Sequence, residues 1–147
     1  MKRFVYVLVL VAISMIVLQT QSVLAANSKS DSKLVGSWKM TKNSVDSAGA
    51  PCPFVPEVFD FYKDKTVVLS NFGPQHLPYT TSVTNEEKEI IIKKMPDFKG
   101  KDILLIKPNP NMDWTNTPMV YAYSINNNEL TLSILGYSPA TFAKSKK

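Results

Sequence analysis

The chain has 147 residues, a formal charge of +5, a single Cys and a single His. That length is one domain's worth, and one Cys excludes an internal disulfide. Arg3 is the only Arg, and the lysines form no dense run, which argues against nucleic-acid binding because phosphate recognition leans on Arg.

In chain order, Lys2 and Arg3 precede an apolar run of 15 residues from Phe4 to Leu18. A polar dip from Gln19 to Ser22 and then Val23-Leu24-Ala25 follow. A charged start, a short apolar middle and small residues at the end are the parts of a secretory signal, and the run falls short of the ~20 residues that span a membrane. Cleavage is expected after Ala25, with Ala26 as the alternative and an uncleaved anchor as the rival reading. Residues 1–25 then form a signal peptide, 26–33 a polar tether and 34–147 the folded domain. The mature chain carries +3, has no Asn-x-Ser/Thr acceptor and is expected in a periplasm or outside the cell, with no stable membrane insertion once the signal is removed.

From Gly36 onward the pattern alternates at period two. Nine segments read as strands: one around Gly36-Ser37-Trp38-Lys39-Met40, then "EVFDFY" (57–62), "TVVLSN" (66–71), "PYTTSV" (78–83), "KEIIIKK" (88–94), "KDILLIK" (101–107), "PMVYAYSI" (118–125), "NELTLSIL" (128–135) and "PATFAKS" (139–145). Alternation, β-branched and aromatic residues, and Asn, Asp, Gly or Pro at the breaks are the strand and hairpin signals. "KDKT" reads as a tight turn, and "SINNNEL" as a sharper one, because Asn tolerates the positive φ that such a hairpin demands. No stretch shows a sustained helical period, and Glu86, Glu87 and Glu89 read as a solvated turn. The fold class is all-β: an antiparallel up-and-down meander of eight to nine strands that closes into a small barrel, since closure removes the two edges.

Two connections are too long for hairpin turns. Residues 42–56, "KNSVDSAGAPCPFVP", join the first two strands, and residues 108–117, "PNPNMDWTNT", carry Trp114. Long loops in a small domain are commonly functional.

The Gly36-x-Trp38 opening, the long first loop, the run of hairpins and a last strand ending in a cation together resemble the lipocalin superfamily, and most closely its short exported bacterial members. The resemblance covers most of residues 33–145 and implies a barrel whose first-strand Trp plugs the narrow end against a cation from the last strand. Lys144 would take that role here, in place of the family's Arg, with its stem over Trp38; the rival reading leaves Lys144 in a solvated tail with Lys146 and Lys147. Gly36 would leave room for a close approach.

Chemistry has few candidates. His76 and Cys52 are a possible pair in space without a third orienting group, and no metal-ligand cluster, phosphate loop or nucleophile elbow occurs. No catalytic residue, metal or cofactor is therefore expected. What remains is a lining: Phe59 and Phe61 inward, with Val67, Leu69, Tyr79, Thr81, Ile90, Ile92, Tyr121, Tyr123, Leu130, Leu132 and Phe142 as period-two counterparts. Such a lining either surrounds a cavity or simply fills a small barrel. The first case makes the protein a non-covalent binder of a small hydrophobic or amphipathic molecule, contacted by Phe59, Phe61, Tyr79, Tyr121 and Tyr123, with Trp114 at the rim or tucked back on the barrel. The second makes it an envelope protein-interaction module, an inhibitor or accessory subunit, with a solid barrel and binding loops.

Overall fold

The computed structural model describes residues 32–107 and 118–145. The expected signal peptide, the expected tether up to residue 31 and residues 108–117 with Trp114 lie outside the described residues. Eight strands run in order: β1 (Gly36–Lys42), β2 (Val58–Phe61), β3 (Thr66–Leu69), β4 (Leu77–Thr80), β5 (Asp102–Ile106), β6 (Met119–Asn126), β7 (Glu129–Ser133) and β8 (Ala140–Lys144). Each pairs antiparallel with the next, and β8 returns to β1, so the meander closes into a barrel. Closure leaves no strand of the barrel at an open sheet edge.

The turns follow from local chemistry. Lys65 takes φ +63 at the β2–β3 turn, where the Tyr62 amide donates to the Thr66 carbonyl at 2.8 Å. Asn127 takes φ +55 at the β6–β7 hairpin, the left-handed conformation that Asn tolerates. Period two then sorts the side chains. Phe59 and Phe61 of β2, Val67 and Leu69 of β3, Leu130 and Leu132 of β7 and Phe142 of β8 all join one buried core.

The ninth expected strand, residues 88–94, is instead the α-helix α1 (Asn85–Lys94). Thr84 and Glu87 form a reciprocal cap: the Glu87 amide donates to the Thr84 hydroxyl at 3.2 Å, and the Thr84 amide donates to the Glu87 carboxylate at 2.9 Å. Glu86 and Glu87 lie in the first turn and Lys93 and Lys94 in the last, each sign opposing the local end of the helix dipole. So Glu86, Glu87 and Glu89 belong to a helix and not to a turn, and three consecutive isoleucines, which imitate a strand, are helical. Ile90 is 58% exposed, so neither it nor Ile92 belongs to the barrel lining. Thr81 also falls out of the lining, because β4 ends at Thr80.

Helix α1 and the short 3-10 turn Pro96–Phe98 cover the outside of the wall at β5 and β6. Ile91, Met95 and Phe98 pack there against Ile103, Leu105 and Ala122. The spacing of Ile91 and Met95 is the helical i, i+4 pair. This second layer explains "DILLI": Leu104 and Ile106 face the barrel core while Ile103 and Leu105 face α1, so the strand is apolar on both sides.

Candidate functional site

One end of the barrel, where β1 begins and β8 ends, is sealed between these two strands. Trp38 is fully buried, and its indole N–H donates to the Leu34 carbonyl at 2.6 Å. Trp38 stands opposite Lys144 in the β1–β8 ladder. The Lys144 ammonium lies 5.1 Å from the Trp38 ring centroid and donates to the Lys33 carbonyl at 3.3 Å. A cation over an aromatic face is attracted by the ring quadrupole. Gly36 has φ +129, and a Cβ placed there would stand 2.8 Å from the Lys144 Cε. The backbone requires the glycine, whereas the flexible end of the lysine would have to shift from its place over Trp38 to admit a side chain there.

Above this seal the interior is a stack of rings. Phe59 and Phe61 lie parallel at 5.6 Å, Phe142 meets Phe59 edge-on at 5.2 Å, and Tyr79 meets Phe61 edge-on at 5.0 Å. Tyr121 closes on Phe59 at 6.2 Å and 89°. A void wide enough for a water molecule would leave accessible area on the side chains around it. Phe59, Leu69, Leu104, Leu130, Leu132 and Phe142 have none. The residues expected to line a cup therefore pack on one another, and Phe61, Tyr79, Tyr121 and Tyr123 are each no more than 6% exposed.

The opposite end, where β1 ends and β8 begins (the wide end in a lipocalin-like reading), is closed differently. The connection from β1 to β2, residues 43–57, folds over it as a strap. Asp46 organises the first half by accepting the amides of Ala48 and Ala50 at 2.9 and 2.8 Å. A β-turn from Cys52 to Val55 forms the second half, with the Val55 amide 3.4 Å from the Cys52 carbonyl. Cys52 and Val55 both enter the barrel core, while Phe54 at the turn's apex is 50% exposed. The strap is pinned by side chains on three other connections or strands. Ser44, fully buried, donates its hydroxyl to the Ser138 carbonyl, and the Val45 amide donates to the Ser138 hydroxyl at 3.0 Å. The Asn71 amide side chain donates to the Pro53 carbonyl at 3.3 Å. The Tyr121 hydroxyl donates to the Phe54 carbonyl at 2.7 Å, with the Met119 sulfur as a weaker second acceptor 3.4 Å from the hydroxyl. Burial pushes the Tyr121 phenol well above its usual range, with neighbouring Cys52 adding to the shift, so it remains a neutral donor. Burial likewise pushes the Cys52 thiol up, which keeps it protonated and inert.

Sequence reasoning singled out the strap's length and its prolines but not its insertion into the barrel. Cys52 and Val55 are three residues apart, the spacing of a β-turn's ends, and no period-two pattern marks them in the sequence. Tyr123 belongs to the same core cluster at 6% exposure.

His76 and Cys52 are not brought together. Cys52 is under the strap, whereas His76 is exposed, 4.7 Å ring to ring from Tyr62. Thr66 spends its one hydroxyl proton on Asp64 at 2.7 Å, so it must accept from His76 Nδ1 at 3.0 Å. That hydrogen bond from Thr66 holds the Asp64 carboxyl below its usual range. Among the described residues no three of His, Cys, Asp and Glu converge as a metal site, and no helix is long and apolar enough to cross a membrane. A surface groove of about 550 Å³ lies on the outer wall between Asp97-Phe98 and the 133–139 segment; neither Phe59 nor Tyr121 borders it, and its open mixed lining holds no convergent donor set.

The fold and these two seals define a closed, eight-stranded antiparallel barrel, plugged by an indole at one end and strapped at the other. Protein-family models, curated proteins and solved structures contain no match to the chain.

Proposed function

We propose that this chain is an exported, non-enzymatic binding protein on a lipocalin-like barrel, and that it takes a small apolar or amphipathic molecule at the wide end, beneath the strap, instead of deep in the barrel. The carrying observation is that the two ends are closed by different means. The lower interior is filled by strand-borne rings with no water-sized gap around Phe59 and Phe142. The wide end is filled by a loop, whose side chains Cys52 and Val55 stand where strand residues leave off. Burial of Val55 contributes about 1.5–3 kcal/mol. Together with a few hydrogen bonds that is the scale of local opening, below the cost of unfolding a domain. The charged, apolar and small-residue order of Lys2 to Ala25 supports export.

One observation favours the second reading, a protein-interaction module. Phe54 is held half exposed on a proline-stiffened, hydrogen-bonded turn, and a rigid exposed aromatic is a good anchor in a partner's pocket. A titration with an apolar naphthalene-class fluorescent probe separates the two. Mouth binding gives saturable fluorescence that rises in a strap-loosened Ser44→Ala/Asn71→Ala protein with native near-ultraviolet dichroism. A probe that binds neither protein overturns the small-molecule reading.

A further inference from the structure

Resting on that reading, the geometry points to the class of molecule taken: we propose that the strap is an internal stand-in for the ligand, and that the ligand is a compact apolar molecule bearing one neutral hydrogen-bond acceptor, such as a ketone or ester carbonyl. The Phe54 carbonyl is what the Tyr121 hydroxyl holds, at 2.7 Å. Beside it the strap places two small apolar side chains, Cys52 and Val55, into the core. A carbonyl with a short apolar body on either side is thus the chemical outline of what fills the mouth. Tyr121 comes from β6, not from the strap, so its hydroxyl stays on the barrel wall when the strap lifts.

An occupant without an acceptor would leave that hydroxyl only the Met119 sulfur, a weak acceptor 3.4 Å away, in place of a carbonyl, and so would lose most of the worth of the hydrogen bond. An occupant with a carboxylate meets a different obstacle, because the donors that hold the strap carbonyls, the Tyr121 hydroxyl and the Asn71 amide, are neutral. The phenol, held neutral by burial, is a donor and not a counter-ion. Tyr121 therefore sets specificity, and the strap sets apparent affinity, since a site open only part of the time binds more weakly in proportion to the open fraction.

The test compares acetophenone with ethylbenzene, which has nearly the same shape and no acceptor, by heteronuclear NMR titration of the full-length mature protein. Acetophenone is expected to bind about fivefold to tenfold more tightly, the worth of one neutral hydrogen bond. Tyr121→Phe is expected to erase that preference while ethylbenzene binding persists. Ser44→Ala/Asn71→Ala is expected to tighten both ligands by a common factor. Equal binding of the two compounds, unchanged by Tyr121→Phe, overturns the assignment of Tyr121 while leaving mouth binding intact. Binding of neither, in the parent or the loosened protein, overturns the mouth-binding reading and this inference with it. Shifts confined to Asp97, Ser133 and Leu135 at the outer groove would do the same.

Discussion

The Lys144 side chain crosses the space that a Gly36 side chain would need: its Cε stands 2.8 Å from where that Cβ would be. The contact couples the first strand to the last at the point where the barrel closes. Gly36→Ala is expected to cost about 1–3 kcal/mol, chiefly from φ +129, with a smaller part from displacing the flexible Lys144 tip from Trp38. Adding Lys144→Ala should recover the clash but not the backbone strain. Denaturant melts of both singles and the double mutant give the coupling, and strict additivity would contradict the contact.

Lys144→Met keeps an apolar stem over Trp38 and removes the charge. The expected loss is about 0.5–1 kcal/mol at low salt, the range for a cation–π contact at a partly open site. The measurement is the unfolding midpoint as a function of ionic strength.

The reciprocal cap of α1 has a pH signature. The Thr84 amide and hydroxyl hold the Glu87 carboxyl below its usual range, so the cap's contribution is present above the ordinary Glu titration and is lost as pH falls through the lowered folded value. Helical dichroism should therefore weaken on acidification below about pH 4. In Thr84→Ala, which should itself cost about 1 kcal/mol, the acid-dependent step should shrink, because the backbone amide at position 84 still reaches Glu87; in Glu87→Gln it should disappear.

Tyr121 behaves in the opposite sense. Its phenol is raised by burial, so the native state holds a proton that the unfolded chain releases near 10.0, and stability falls as pH rises past that value. Tyr121→Phe should flatten this alkaline decline at a cost near neutrality of about 1 kcal/mol, because the Phe54 carbonyl loses its donor. Thermal melts between neutral and strongly alkaline pH measure both.

Two phenylalanines five residues apart should respond very differently. Phe59, in contact with Phe61, Tyr121 and Phe142, should cost about 3–5 kcal/mol on truncation to Ala. Phe54, with its ring half in solvent, should stay within about 0.5 kcal/mol. Equal effects would mean that the strap's apex is packed and not exposed.

The all-β class and the closed meander were legible because each hairpin carries its own alternation and its own turn residues. Phe59-Asp60-Phe61 and Asn126-Asn127-Asn128 are local signals, and local signals survive tertiary context. Helix α1 was not legible from Ile90-Ile91-Ile92, since β-branched residues favour strands. The better signal was Thr84-x-x-Glu87, a capping box followed by acidic and then basic turns. For the candidate site, the inward sense of Phe59, Phe61, Tyr79, Tyr121 and Tyr123 followed from period two. Whether they enclosed space or filled it did not, because that depends on which distant loop enters the barrel. Cys52 and Val55 supply that answer through contacts with residues far away in sequence, and no local pattern encodes them.

The account turns on whether the strap opens while the barrel stays shut, and labelling of the Cys52 thiol reads this directly. Cys52 is 4% exposed, so a thiol reagent can reach it only through opening. Labelling that is faster than global unfolding, nearly independent of low denaturant and accelerated by Ser44→Ala/Asn71→Ala is the predicted result. A labelling rate that follows global unfolding in both proteins would make the strap an inseparable part of the core and would contradict binding at the mouth.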